Sequence, residues 1–169
     1  LSHHFHICAF VSPSDQLVLN ETSFAHSMDV GIGYVSENHV LLAMGVRPTR
    51  PEPGYGYIQL GDLSCKPDVF KIKSFTEKPE REFAKMFVDS GEFLWNSGLF
   101  LSDVRYMRHS MKKVFPQSVL GKIDEEGHVW NLEEETTYIQ NNFPAYPNVS
   151  IDMAIFHIDF SFQCRNHVP

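Results

Sequence analysis

Val69-Phe70-Lys71-Ile72-Lys73-Ser74-Phe75-Thr76-Glu77-Lys78-Pro79 joins a strand to a helix, and its reading decides the fold. Val69 to Phe75 is strand-like, rich in residues that suit a pleated, half-buried surface. Pro79 then fits a helix start, where its missing N–H costs nothing. Glu80 to Ser90 follows as a helix with Phe83, Ala84, Phe87 and Val88 inward, and Gly91 supplies its C-cap. In the loop between, Glu77 can accept two hydrogen bonds from vicinal hydroxyls, and Lys78 is a point charge suited to phosphate. Pro79 favours an extended backbone at Lys78, which directs that side chain out of the strand end. The same pair also reads as an exposed charge pair at a strand end.

The pattern extends in both directions. Ile7 to Val11 is a buried strand stopped by Ser12-Pro13-Ser14-Asp15. Phe24, Met28, Ile32 and Val35 share one helical face, interrupted by Gly31 and Gly33. Val40 to Val46 is a second buried strand, and Tyr57 to Leu60 is strand-like. Between them, Arg47 to Gly56 holds three prolines and two glycines and reads as a long ordered loop. Downstream, Leu99 to Leu101 is a short strand after a Trp95-Asn96-Ser97-Gly98 turn. Asp103 can N-cap a helix through Val114 with Val104, Met107 and Met111 on its face. Asn131 can cap Leu132 to Asn141, which Pro144 forbids from continuing, and Ser150 can cap a short turn at Ile151 to Ile155. Strands alternating with helices predict an α/β fold with a mixed, mostly parallel sheet flanked by helices, in one domain over residues 1–169.

Composition bounds the function. With 169 residues, 43% of them hydrophobic, the chain can build a real core. A net charge of −7 argues against a general nucleic-acid or membrane-surface binder, though not against a local basic pocket. No run approaches the roughly 18 apolar residues of a membrane span. Cys8, Cys65 and Cys164 are odd in number, far apart and without zinc spacing, so a reducing, cytoplasmic location is expected. His3, His4 and His6 cluster at an end expected to fray and make no helical HxxxH pair, so zinc is not expected. The sequons at Asn20 and Asn148 are read as chance occurrences.

The candidate ligand-binding groups lie beside predicted strands, and ligands of such sheets sit outside the strands' carboxyl ends. Gly54 and Gly56 lack side chains, so a ligand can approach their backbone closely; equally, they can be turn glycines. Asn96 offers an amide that donates and accepts toward a sugar hydroxyl. Trp95 is either core or a stacking platform. Asp15 and Asp152 are single carboxylates after turn-forming residues. They can converge over a sheet edge to share a magnesium ion with substrate phosphate oxygens, or serve only as an Asx-turn and a helix first-turn residue. The set suits a polyhydroxylated, phosphorylated ligand.

Five ordered motifs together resemble one family. Pro13-Ser14-Asp15, Pro48 to Ile58 (PTRPEPGYGYI), Phe75-Thr76-Glu77-Lys78-Pro79, Leu94-Trp95-Asn96-Ser97-Gly98-Leu99-Phe100 and Ser150-Ile151-Asp152 look like the mannose-1-phosphate guanylyltransferases. The resemblance covers roughly residues 10 to 156. It implies a Rossmann-like nucleotidyltransferase fold and the reaction of GTP with mannose 1-phosphate to give GDP-mannose and pyrophosphate, with Mg2+. Carried over residue by residue, it implies that Asp15 and Asp152 hold the metal. Glu77 binds sugar hydroxyls, Lys78 the sugar phosphate, and Gly56 and Asn96 contact the sugar. The expectation is therefore the sugar-phosphate-binding half of such an enzyme, with GTP and mannose 1-phosphate as partners. A homo-oligomer is compatible with it. The chain departs from the family in three places. The Gly-rich segment with its arginine and lysine is not among these residues. Pro53 stands where threonine is usual. His157 takes a glutamate place, and no Trp- and Gly-bearing motif follows.

Overall fold

The computed structural model describes residues 7–114, 131–156 and 163–167. In chain order the elements are β1 (Cys8–Val11), α1 (Glu21–Glu37), β2 (Leu41–Val46), β3 (Tyr57–Leu63), β4 (Val69–Thr76) and α2 (Arg81–Ser90). They continue with β5 (Phe93–Asp103), α3 (Val104–Val114), α4 (Leu132–Asn142), a 3-10 turn (Phe143–Ala145), α5 (Ile151–Phe156) and β6 (Gln163–His167).

Local chemistry sets most of the boundaries. Asn20 caps α1 by accepting from Ser23 N at 3.0 Å. Asp103 caps α3 by accepting from Arg105 N at 2.9 Å and Tyr106 N at 3.2 Å. Asn131 and Glu134 form a reciprocal capping box on α4. Gly91 ends α2 in the left-handed conformation, φ 71°. The start of α2 differs from expectation. Glu80 is its N-cap and Arg81 its first residue, so Pro79 lies just outside, where it is buried.

The sheet is mixed, as expected, but it is not mostly parallel. Its strand order is β1-β5-β2-β6-β4-β3, with β5 also pairing β3. β5 runs antiparallel to β1, β2 and β3, and β4 runs antiparallel to β3 and β6. Among the described residues only β2 and β6 pair in parallel. The crossover through α1 does set β1 parallel to β2, as a strand–helix–strand unit should. The two are not neighbours, however, because β5 inserts between them. That insertion follows from the length of β5. Its eleven residues run straight through Trp95-Asn96-Ser97-Gly98, where a turn was expected. The glycine there makes a bulge instead: Ala43 faces Phe100 and Gly45 faces Asn96, so only Met44 opposes Ser97, Gly98 and Leu99.

The middle of the sheet is buried on both faces, whereas edge strand β1, expected to be buried, leaves Phe10 and Val11 exposed because it has a neighbour on one side only among the described strands. Leu41 and Ala43 of β2 join Ile58, Leu94, Phe100 and Ala154 on one side, where Tyr106 and Met107 of α3 and Ile151 of α5 pack. Leu42 joins Tyr34, Val35, Val40, Val69 and Leu101 on the other, under α1. This two-sided burial is why Val40 to Val46 reads as a continuous apolar run. α1 presents Ser27, Gly31, Tyr34 and Val35 to the sheet, and Ile32 faces solvent, contrary to the expected face. The cause is Gly31. A Cβ there would stand 2.6 Å from Leu101 Cδ1 and 3.2 Å from Leu42 Cδ2, so the glycine permits a close seat that a bulkier face could not take. α2 docks through Phe87, stacked on Phe93 at 4.1 Å and tilted against Tyr57 at 5.4 Å. Phe83 stays half-exposed.

Candidate functional site

One open cleft of about 600 Å³ collects Asp15, Gly54, Gly56, Glu77, Lys78, Asn96 and Asp152, with Tyr55, Trp95, Gln16 and Ser97 among its other walls. Every candidate side chain and glycine singled out from sequence therefore reaches the same space. They arrive from five places: the turn after β1, the loop before β3, the end of β4, the bulge of β5 and the first turn of α5.

The loop before β3 is held from beneath. The Tyr57 phenol is fully buried; its oxygen accepts from Glu52 N at 2.9 Å and donates to Glu52 O at 3.2 Å. The Glu52 carboxylate then accepts from Gly54 N at 3.2 Å and from the Arg50 guanidinium at 3.2 Å. Arg50 lies over the Trp95 ring, 5.6 Å from its centroid, and Tyr55 meets that ring edge-on at 5.1 Å. Trp95 is thus a half-buried wall between core and cleft. Its buried Nε1 has no hydrogen-bond partner among the described residues.

The two loop glycines serve different ends. Gly54 N–H is already engaged by Glu52. Gly56 O accepts from Asn96 N at 2.8 Å, which ties the loop to β5. A Cβ on Gly56 would stand 2.7 Å from Glu77 Oε2 and 2.8 Å from Phe75 Cε2. The space above Gly56 is therefore taken by Glu77 and Phe75, and its smallness seats the Glu77 carboxylate.

Lys78 is not extended. Its φ is 46°, in the left-handed region that only a few per cent of non-glycine residues adopt. The turn from β4 to α2 must reverse within Glu77 and Lys78, and this outweighs the preference set by Pro79. Strain of this kind persists only where the surroundings over-determine it, and such residues cluster at ligand clamps. Lys78 Nζ sits 3.4 Å from Glu77 Oε1, with 67% of the lysine side chain exposed against 28% of the glutamate. At that exposure the pair adds little to stability. The ammonium is left open to a ligand anion.

Asn96 Oδ1 accepts from Gly98 N at 3.2 Å. One acceptor position and the amide's N–H donors remain for a ligand. Burial, and then the neighbouring Glu77 charge, hold the Asp152 carboxyl above its ordinary value; Asn96, its own backbone and Lys78 pull it back only in part. Asp15 sits exposed on the opposite turn. The cleft thus carries three carboxylates and one lysine, a deficit of positive charge. No group of three His, Cys, Asp or Glu side chains able to hold a metal occurs among the described residues. Two hard oxygen donors without a closed cage fit Mg2+, which keeps waters and takes substrate oxygens as its remaining ligands. His3, His4 and His6 lie outside the described residues.

Residues 4–129 match the model of the nucleotidyl transferase family. The chain belongs to that family. It is 36% identical over 149 residues to a mannose-1-phosphate guanylyltransferase of Klebsiella pneumoniae, covering 86% of this chain and 31% of that one. It is 30% identical over 152 residues to the alginate biosynthesis protein AlgA of Pseudomonas putida, covering 86% and 30%. A crystal structure titled mannose-1-phosphate geranyltransferase, from Thermus thermophilus, superposes with a TM-score of 0.77. It covers 95% of this chain and 44% of that one, and at 23% identity it shows the shared fold. The chain spans about a third of the length of the curated relatives it matches. The matched segment contains Asp15, Gly54, Gly56, Glu77, Lys78 and Asn96, and Asp152 lies beyond it. Tyr55 and Ser97 also line the cleft; they lie within motifs read from sequence but were given no role of their own. Gln16 lines it too and was not singled out, since its contact arises only where distant loops meet. No helix among the described residues is long and apolar enough to cross a membrane.

Proposed function

We propose that this chain is the sugar-phosphate-binding part of a nucleotidyltransferase that makes GDP-mannose and pyrophosphate from GTP and mannose 1-phosphate. The observation that carries the reading is the convergence of Asp15, Glu77, Lys78, Asn96 and Asp152 on one cleft from four separate segments. The preference for guanine and mannose rests on the relatives, whose names also include alginate and xanthan biosynthesis proteins.

In this reading Glu77, seated by Gly56, accepts hydrogen bonds from sugar hydroxyls, and the remaining amide positions of Asn96 add N–H donors and one acceptor. Lys78 holds the sugar phosphate. Asp15 and Asp152 would hold Mg2+, which would supply charge neutralisation for the two anionic substrates. An oxygen of the sugar phosphate forms the new bond to the α-phosphorus of GTP, and the bond from that phosphorus to the bridging oxygen of pyrophosphate breaks. The attacking oxygen is already ionised, so no side chain need remove a proton. The work of these residues is positioning and charge compensation.

The test is pyrophosphate release with Mg2+, GTP and mannose 1-phosphate, run on this chain and on a version extended upstream. Release by the extended version, with calorimetric binding of mannose 1-phosphate by this chain, is the expected result. No release from either sinks the catalytic reading, and no binding of mannose 1-phosphate sinks the sugar-phosphate reading.

A further inference from the structure

We infer that Gln16 is a positioning residue for the Asp15 carboxylate and that it acts through the bulge of β5. This rests on the reading of Asp15 and Asp152 as a metal-holding pair. Asp15 lies on a turn with little else to fix it. β1, the strand before it, has four residues and one pairing partner among the described strands. The segment after it exposes Leu17 by 81% and Leu19 by 88%, so no apolar anchor follows.

Two contacts fix the turn, and both fall on the bulge. Gln16 Nε2 donates to Ser97 O at 3.2 Å, across 81 residues of sequence. Pro13 lies against Gly98, where an added Cβ would stand 3.0 Å from Pro13 Cγ. The bulge itself is rigidly specified. Gly98 takes φ 74°, which a residue with a Cβ adopts only under strain. Ser97 Oγ donates to Met44 O at 2.6 Å and accepts from Leu99 N at 3.3 Å, replacing the ladder bonds that the bulge disrupts. Gly98 N donates to Asn96 Oδ1, and Asn96 faces the same cleft as Asp152. Gln16 and Pro13 thus tie the Asp15 turn to the bulge whose Asn96 stands in the cleft beside Asp152. The bulge is the support against which Gln16 holds Asp15 in place relative to Asp152. A metal site with only two protein carboxylates depends on their separation, because no further protein ligand corrects it.

The experiment reads Mn2+ binding, as a paramagnetic stand-in for Mg2+, by electron paramagnetic resonance on the full chain. Wild type is compared with Gln16→Ala and with Gln16→Met, which keeps the volume and removes the donor. Gln16 is exposed, so both variants should fold. Each should bind Mn2+ about tenfold more weakly, the usual scale for losing a partner that orients a metal ligand. Melting temperature, and affinity for mannose 1-phosphate measured without metal, should stay unchanged, because Glu77 and Lys78 sit on another loop. Variants that bind Mn2+ like wild type overturn the inference and leave the paired aspartates standing. Losses of melting temperature and sugar-phosphate affinity in step with Mn2+ also overturn it, since they mark a general effect on the fold. A wild-type chain that binds no Mn2+ overturns the metal-pair reading, and the inference falls with it.

Discussion

Replacing Gly56 by alanine adds one methyl group at a place where the structure has no room. The new Cβ would stand 2.7 Å from Glu77 Oε2, 2.8 Å from Phe75 Cε2 and 2.9 Å from Phe75 Cζ. The two neighbours differ in their freedom to yield. Phe75 packs against the core cluster of Leu41, Ile58 and Phe100, so its ring is confined. The Glu77 carboxylate is 28% exposed and can swing outward. Overpacking of this kind costs about 1–3 kcal/mol. In a chain of this size each kcal/mol lowers Tm by roughly 2–4 °C. In the proposed function the outward swing also removes the carboxylate from the sugar hydroxyls. Hydrogen bonds to a charged group contribute about 1.5–3 kcal/mol, so affinity for mannose 1-phosphate should fall roughly ten- to hundredfold. Gly54→Ala is the control: its Cβ would meet only Glu52 Oε1, at 3.4 Å, on an exposed loop. That change should stay within about 0.5 kcal/mol in stability and leave binding intact. Differential scanning calorimetry and isothermal titration with mannose 1-phosphate read both quantities. A Gly56→Ala chain that melts and binds like Gly54→Ala would refute the argument that the glycine seats Glu77.

Three further outcomes are expected. Lys78→Ala should weaken mannose 1-phosphate binding by about tenfold or more without unfolding the chain, because an exposed ammonium adds little to stability; unchanged affinity in titration calorimetry would remove its role. Asp152 has a raised carboxyl pKa in the folded state, chiefly from burial and then from Glu77. Its stabilising contribution is therefore complete below the ordinary carboxyl value and is lost as pH rises through the raised one. Asp152→Asn should thus melt higher than wild type at neutral pH and lose that advantage in acid, and added Mg2+ should raise the wild-type Tm alone. A thermal-shift series across pH, with and without Mg2+, that gave parallel curves would contradict this. Tyr57→Phe removes the hydroxyl that meets Glu52 N–H and should cost about 1–3 kcal/mol in urea denaturation, while loosening the loop under limited proteolysis.

Much of the fold was legible because its signals are local. Asp103, Asn131 and Gly91 act within a few residues of themselves, and their caps form as read. The apolar run from Val40 to Val46 announces a strand buried on both faces, whatever its neighbours. The groups offered to a ligand were legible for a similar reason. Glu77, Lys78 and Asn96 sit beside strand ends, and the chemistry of each belongs to its own side chain.

What the sequence alone could not carry depends on contacts between distant segments. Gly98 reads as a turn residue, and only the pairing of β5 with β1 and β2 turns that signal into a bulge inside an eleven-residue strand. The same strand makes the sheet largely antiparallel, because local periodicity fixes a strand but not which strand lies beside it. The left-handed backbone of Lys78 opposes its own proline signal and persists because the turn between two packed elements demands it. Gly56 was legible as a glycine that something must approach; that the neighbour is Glu77 follows only from the fold. The sequence by itself determined which groups are available and where the capped helix ends at Asp103, Asn131 and Gly91 fall, through short-range sterics and capping. The tertiary structure alone decided that Asp15 and Asp152, 137 residues apart, face one cleft, since that depends on strand order and on a bulge stitched by Ser97 to Met44.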